Sequence, residues 1–161
     1  MVEDLYRRYC HEEFDSSGVL CKWEPVVPEN FNFAYDVIDV IAAEEPDRRA
    51  MVWCSDRGEE EIFTFRDIKE QSCRTANFFT DIGIKRGDKV LVILKRHYQF
   101  WFTILALHRL GAVIIPATHL LTKKDVAYRI EAAGVAAVVC TADGEVPDAV
   151  TEAAAEAARP G

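Results

Sequence analysis

The sequence predicts an α/β fold: a three-layer α-β-α lobe on a mainly parallel sheet in βαβαβ order, with a β-hairpin beside it. Two observations lead there. Three short apolar runs, Val90 to Leu94, Ala112 to Pro116 and Ala136 to Cys140, are separated by segments with helical spacing that close on Gly111 and Gly134. Upstream, the strand-like runs Ala50 to Ser55 and Glu61 to Phe65 flank Asp56-Arg57-Gly58-Glu59, whose Asp and Gly suit a reverse turn.

Each element has its own local reason. Glu3 to Glu13 is expected to be a charged helical arm broken by Asp15-Ser16-Ser17-Gly18, and Trp23 to Asn32, with Pro25 and Pro28, an extended surface crossing. Phe33, Val37 and Ile41 share a helix face that Glu44-Glu45-Pro46 stops. Thr64-Phe65-Arg66-Asp67 has capping-box spacing, and Phe65, Ile68, Ser72, Ala76 and Phe79 follow at intervals of three and four until Gly83. Val90 to Leu94 is apolar throughout, so both its faces require cover, as in a parallel sheet with helices on each side. The next helix presents Tyr98, Trp101, Phe102 and Leu105. Thr122 to Asp125 is a second capping box, with Ile130 and Ala133 inward. After Thr141 the composition turns to Ala and Glu. A helix from Pro147 through Ala158 has Val150 as its only large apolar side chain, so it is expected to fray or stay unordered. The organisation expected is an arm and crossing over 1–32, an α/β subdomain over 33–141 and an Ala/Glu-rich tail over 142–161.

Composition bounds the function. With 27 acidic against 19 basic residues the net charge is −8, which argues against nucleic acid or an anionic membrane as the main partner. Five scattered cysteines with no Cys-x-x-Cys pair fit reduced thiols in a cytoplasmic protein. The opening Glu3, Asp4, Arg7 and Arg8 are not expected to form a signal peptide, and His108, Arg109 and Gly111 interrupt the longest apolar region, so no membrane span is expected.

Candidate chemistry is sparse. Lys95-Arg96-His97 follow a buried strand, where they either hold an anion or pair with the many acids; Lys123-Lys124 invite the same two readings. Cys140 is expected to be packed and inert, His108 to lie at the surface, and Trp101 and Phe102 to be core. No cluster has metal-ligand spacing, no Gly-Lys-Ser/Thr or Gly-x-Gly-x-x-Gly occurs, and no catalytic residue is assigned.

Several segments resemble one family. Phe63-Thr64-Phe65-Arg66-Asp67-Ile68 is similar to the first core motif of the adenylate-forming superfamily, and Leu107 through Pro116 to its second, with Arg86-Gly87-Asp88-Lys89-Val90 linking them at the usual spacing. Pro28 through Val37 and Asp125 through Ile130 resemble the medium-chain branch of the AMP-forming acyl-CoA synthetases. The resemblance covers about Val27 to Cys140. It implies a ligase that activates a carboxylic acid with ATP and Mg²⁺ through an acyl-adenylate and transfers it to coenzyme A. The family's phosphate loop, adenine segment and catalytic lysine have no counterpart here, so the chain is expected to be an N-terminal fragment, inactive alone and prone to self-association. The resemblance also places Thr118-His119-Leu120 where the family packs a loop against the coenzyme's pantetheine arm. Several relatives have glycines there, and this chain departs from them. A loop histidine in solvent is the other reading. The alternatives to a ligase fragment are a standalone α/β module that binds a protein or a ligand, such as a flavodoxin-like domain.

Overall fold

The computed structural model describes residues 2–157. A 3₁₀ stretch, Val2–Arg8, leads into the antiparallel hairpin β1 (Cys10–Phe14) and β2 (Leu20–Pro25). The expected helix therefore stops at Arg8. Asp15 is the cause: its Oδ1 accepts the N–H groups of Ser17 and Val19 at 2.8 and 3.0 Å, and Gly18 has φ +79°. What looks like a helix breaker is a hairpin turn, and it pairs the segments on either side.

Asn32 ties the following strap to the body. Its Nδ2 donates to the His108 carbonyl at 2.7 Å, and its Oδ1 accepts the Ala34 N–H at 3.0 Å. A π-helical turn, Ala34–Ile38, passes into α1 (Asp39–Glu44). The second hairpin is β3 (Arg49–Cys54) and β4 (Glu60–Thr64), close to the bounds expected for it. Thr64 opens α2 (Phe65–Asp81) with both halves of the capping box formed, and Ile68, Ser72, Ala76 and Phe79 are its buried face.

The sheet follows: β5 (Lys89–Ile93), α3 (Gln99–Leu110), β6 (Val113–Pro116), α4 (Lys123–Ala133), β7 (Val135–Cys140) and α5 (Val146–Ala157). All three strands are parallel, in the order β6-β5-β7. Alternation along β5 sends its side chains to opposite layers. Val90 and Val92 pack with Ala76, Phe79, Ala106 and Leu107 of α2 and α3, while Leu91 and Ile93 pack with Val126 of α4 and Ala153 of α5. At about 1.5–3 kcal/mol for each fully buried aliphatic side chain, these four residues are a main source of the lobe's stability. The hairpin β3–β4 covers the outer side of α2 and α3, where Phe63, Tyr98 and Phe102 stack with centroids 5.0–5.7 Å apart.

Three further expectations need correcting. Within the Ala/Glu-rich tail, residues 146–157 form an ordered helix: α5 packs on α4 and β7, because Ala153 is small enough to be fully buried among larger neighbours and Val146 and Val150 flank it. Trp101 is 51% exposed while Phe102 is 7% exposed, since α3 turns the latter, not the former, toward its neighbours. His108 is half-buried, its ring edge-on to Phe33 under the strap. The expected Ala158 and Arg159-Pro160-Gly161 lie outside the described residues.

Candidate functional site

The carboxyl ends of the three strands gather at one end of the sheet. From β5 the chain leaves toward the α2–α3 layer, and from neighbouring β7 toward the α4–α5 layer. Loops that diverge in this way open a crevice, the usual ligand position in open parallel sheets. Two clefts occupy it. One, of about 720 Å³, lies among His119, Leu121, Lys123, Glu145, Asp148 and Glu152. The other, of about 800 Å³, lies between the β3–β4 turn and the segment after β5. Lys95, His119 and Asp143 border both.

Thr118, His119 and Leu120 thus sit at the carboxyl end of β6, all exposed, with Leu120 at 77%. Thr118 Oγ1 accepts the Leu120 N–H at 3.2 Å, which fixes the loop from within and turns His119 to the rim shared by the clefts.

The interaction that organises the crevice floor was not visible in the sequence. Thr141, only 2% exposed, places Oγ1 2.8 Å from His97 Nε2 and accepts the Asp143 N–H at 3.2 Å. The Asp143 carboxylate lies 3.6 Å from the same histidine nitrogen. The backbone N–H of Thr141 donates to the Ile93 carbonyl at 2.9 Å. The loop after β5 is thereby fastened to the loop after β7. One nitrogen serves both partners, so this is a positioning lock, not a relay that activates the hydroxyl.

Of the basic candidates, Arg96 and Lys123 resolve toward pairing. Arg96 faces Asp56 at 3.4 Å with both side chains in solvent, and the Trp53 indole donates to the Arg96 carbonyl. Lys123 Nζ lies 3.3 Å from both Glu152 and Glu156, whose hydrogen bonds raise its pKa. Burial pushes the Cys140 thiol up, away from reactive thiolate. Among the described residues no group of three or more His, Cys, Asp or Glu side chains is placed to hold a metal ion.

A family model described as "AMP-binding enzyme" matches residues 38–160. The mitochondrial acyl-coenzyme A synthetase ACSM5 of Rattus norvegicus is 38% identical over 141 residues, covering 80% of this chain and 24% of that protein. The mitochondrial acyl-coenzyme A synthetase ACSM4 of the same species is 36% identical over 148 residues, covering 88% and 25%. The chain spans about a quarter of the length of these curated relatives. Among solved structures, a putative long-chain-fatty-acid CoA ligase from Rhodopseudomonas palustris superposes with TM-score 0.68 at 24% identity, over 80% of this chain and 30% of that one. The N-terminal domain of FACL13 from Mycobacterium tuberculosis gives TM-score 0.66 at 23% identity, over 74% and 29%. These two likenesses establish the fold alone.

Proposed function

Because the chain belongs to the AMP-binding enzyme family, we propose that it forms the N-terminal lobe of an acyl-CoA synthetase acting on short or medium-chain carboxylic acids. In that reaction the acid attacks ATP to give an acyl-adenylate and pyrophosphate, and the coenzyme A thiolate then displaces AMP, with Mg²⁺ spreading the phosphate charge when bound. The observation that supports this reading most is the family match over residues 38–160. The part assigned to this chain is structural and positional. The His97–Thr141 lock sets the crevice floor, and Thr118, His119 and Leu120 are assigned to the passage of the coenzyme's pantetheine arm, His119 and Leu120 from the cleft lining and Thr118 by bracing their loop. Adenylation itself is assigned to groups outside these residues.

The test is a chimera in which this chain replaces the aligned residues of the rat ACSM5 relative. The expected chimera forms acyl-CoA from ATP, a medium-chain acid and coenzyme A; a chimera that melts like its parent yet makes no thioester overturns the proposal. Robust thioester formation by the 161-residue chain alone contradicts the assignment of adenylation elsewhere.

Two further properties belong to the same reading. Phe78 and Ile82 on and after α2 are 58% and 54% exposed, and the three-stranded sheet ends at β6 on one side and β7 on the other, so self-association is expected in sedimentation at high concentration. All five cysteines are free, which suits the reducing cytoplasm; the relatives' names place them in mitochondria, and fractionation of the source cells decides between the two.

A further inference from the structure

Building on the self-association proposed above, we infer that it runs through one edge of the sheet: β7 pairs antiparallel with β7 of a second copy. The two edges of the sheet are not equivalent. The Val113 and Ala117 N–H groups donate to the Asp88 and Val92 carbonyls, so the outward-facing positions of β6 are Ile114 and Pro116. Proline has no N–H, which leaves Ile114 as the one donor that β6 offers a neighbour. On β7 the Thr141 N–H donates to the Ile93 carbonyl, and Ile93 lies opposite Cys140. Val138 and Cys140 therefore turn both N–H and C=O away from β5, clear of the register shift between Val135 and Ala137. None of the six residues of β7 is buried, whereas four of the five in β5 are, as befits a strand with one side unpaired. Among the 161 residues only 1 and 158–161 lie outside the described part, each piece shorter than the stretch 137–141, so the covering strand comes from another molecule. A second β7 fits this edge. With Val139 of both copies on a twofold axis, Val138 faces Cys140 of the second copy and Cys140 faces its Val138, and each such pair exchanges two N–H···O bonds. Residues 137–141 carry no charge, so no like charges oppose one another across the axis. One short strand covers less than the ~800 Å² per partner of a standard interface, so the pairing is weak and reversible.

The experiment follows amide hydrogen exchange on the complete ¹⁵N-labelled chain between about 20 μM and about 1 mM, the range of a weak interface, beside sedimentation equilibrium. The Val138 and Cys140 amides are expected to exchange about threefold or more slowly at the upper concentration, where the dimer predominates, while Ile114 stays unchanged. Val139→Cys adds an independent readout, because non-hydrogen-bonded partners on antiparallel strands sit about 4.5 Å apart at Cα, within reach of a disulfide. Oxidised glutathione should therefore join position 139 of two copies, as mapped by mass spectrometry. The exchange series needs no substitution, so it stands even where that variant misfolds. A dimer whose Val138 and Cys140 amides do not slow with concentration overturns the edge assignment and leaves self-association to another surface. A monomer at about 1 mM overturns self-association together with this inference, while the chimera still decides the family-level function.

Discussion

The guanidinium of Arg109 meets the carboxylate of Asp39 edge to edge, Nη2 2.7 Å from Oδ1 and Nη1 2.9 Å from Oδ2. Its Nε donates to Ser72 Oγ at 3.0 Å, and its Cζ lies 5.1 Å from the centre of the Tyr35 ring. One side chain thus ties α1, α2 and α3 together, with 3% of its own surface and 20% of that of Asp39 exposed. Removing one partner strands the other. Arg109→Ala is expected to cost about 3–5 kcal/mol, read from urea denaturation. Arg109→Lys should recover little, since an ammonium cannot make the two-pronged contact. A loss below about 1 kcal/mol for the alanine variant contradicts this role.

Gly111 closes α3 with φ +67° and offers its carbonyl to the Gly87 N–H at 2.9 Å. A Cβ at this position would lie 3.1 Å from Arg86 Cγ, whereas at Gly144, with φ +66°, it would meet open space. Gly111→Ala and Gly144→Ala therefore share the backbone strain, about 1 kcal/mol, and only the former adds a side-chain clash. Thermal melts of the two variants should place Gly111→Ala lower. Equal shifts would mean that Arg86 moves aside without cost.

The contrast between legible and illegible parts follows from which forces are local. The sheet and its helices could be read because a continuous apolar strand such as Val90 to Ile93 and a left-handed glycine such as Gly111 state their structure within a few residues. The N-terminal hairpin could not, because the middle of β1, His11-Glu12-Glu13, is polar and its pairing is imposed by the Asp15 turn, not by an apolar face. The docking of α5 was hidden because it depends on a small residue, Ala153, fitting against partners such as Leu91 and Val126. Arg109 and Asp39 are 70 residues apart, and His97 and Thr141 are 44 apart; only the strand and helix order brings each pair together. Thr118, His119 and Leu120 could be placed at a strand's carboxyl end from sequence, but the acids of the cleft beside them come from the turn before α5 and from α5 itself, whose packing there gave no signal.

Thr64 and Asp67 form a reciprocal cap at the start of α2. Thr64 Oγ1 donates to Asp67 Oδ2 at 2.7 Å and accepts the Asp67 N–H at 3.2 Å, while the same carboxylate accepts the Thr64 N–H at 2.8 Å. The Thr64 hydroxyl, then its backbone N–H, holds the Asp67 carboxyl below its ordinary value of 3.8. The cap's contribution is therefore full above that pH and is lost as pH falls through the depressed value. Thr64→Ala is expected to lower stability by about 1 kcal/mol and to let the Asp67 pKa rise toward the ordinary value, followed by the carboxyl carbon shift. An unchanged Asp67 titration in the variant contradicts the hydroxyl's share.

His108 gives the lobe a pH dependence of the opposite chemical origin. Its Nδ1 is buried without a hydrogen-bond partner among the described residues, and its ring stands edge-on to Phe33 with centroids 6.3 Å apart. Burial pushes its pKa below the ordinary 6.5, since the charged form has less water around it. The unfolded chain then takes up a proton at a pH where the folded chain does not. The associated stability is full above about pH 6.5 and falls as pH drops toward the depressed folded value. Urea midpoints between about pH 7 and pH 5 should decline more steeply for the native sequence than for His108→Phe, which keeps an aromatic ring there but cannot titrate. Because His11, His97 and His119 remain in both proteins, the difference between the two pH profiles isolates His108. A difference that does not vary with pH would show that this imidazole is hydrated in the folded state and titrates as it does in the unfolded chain.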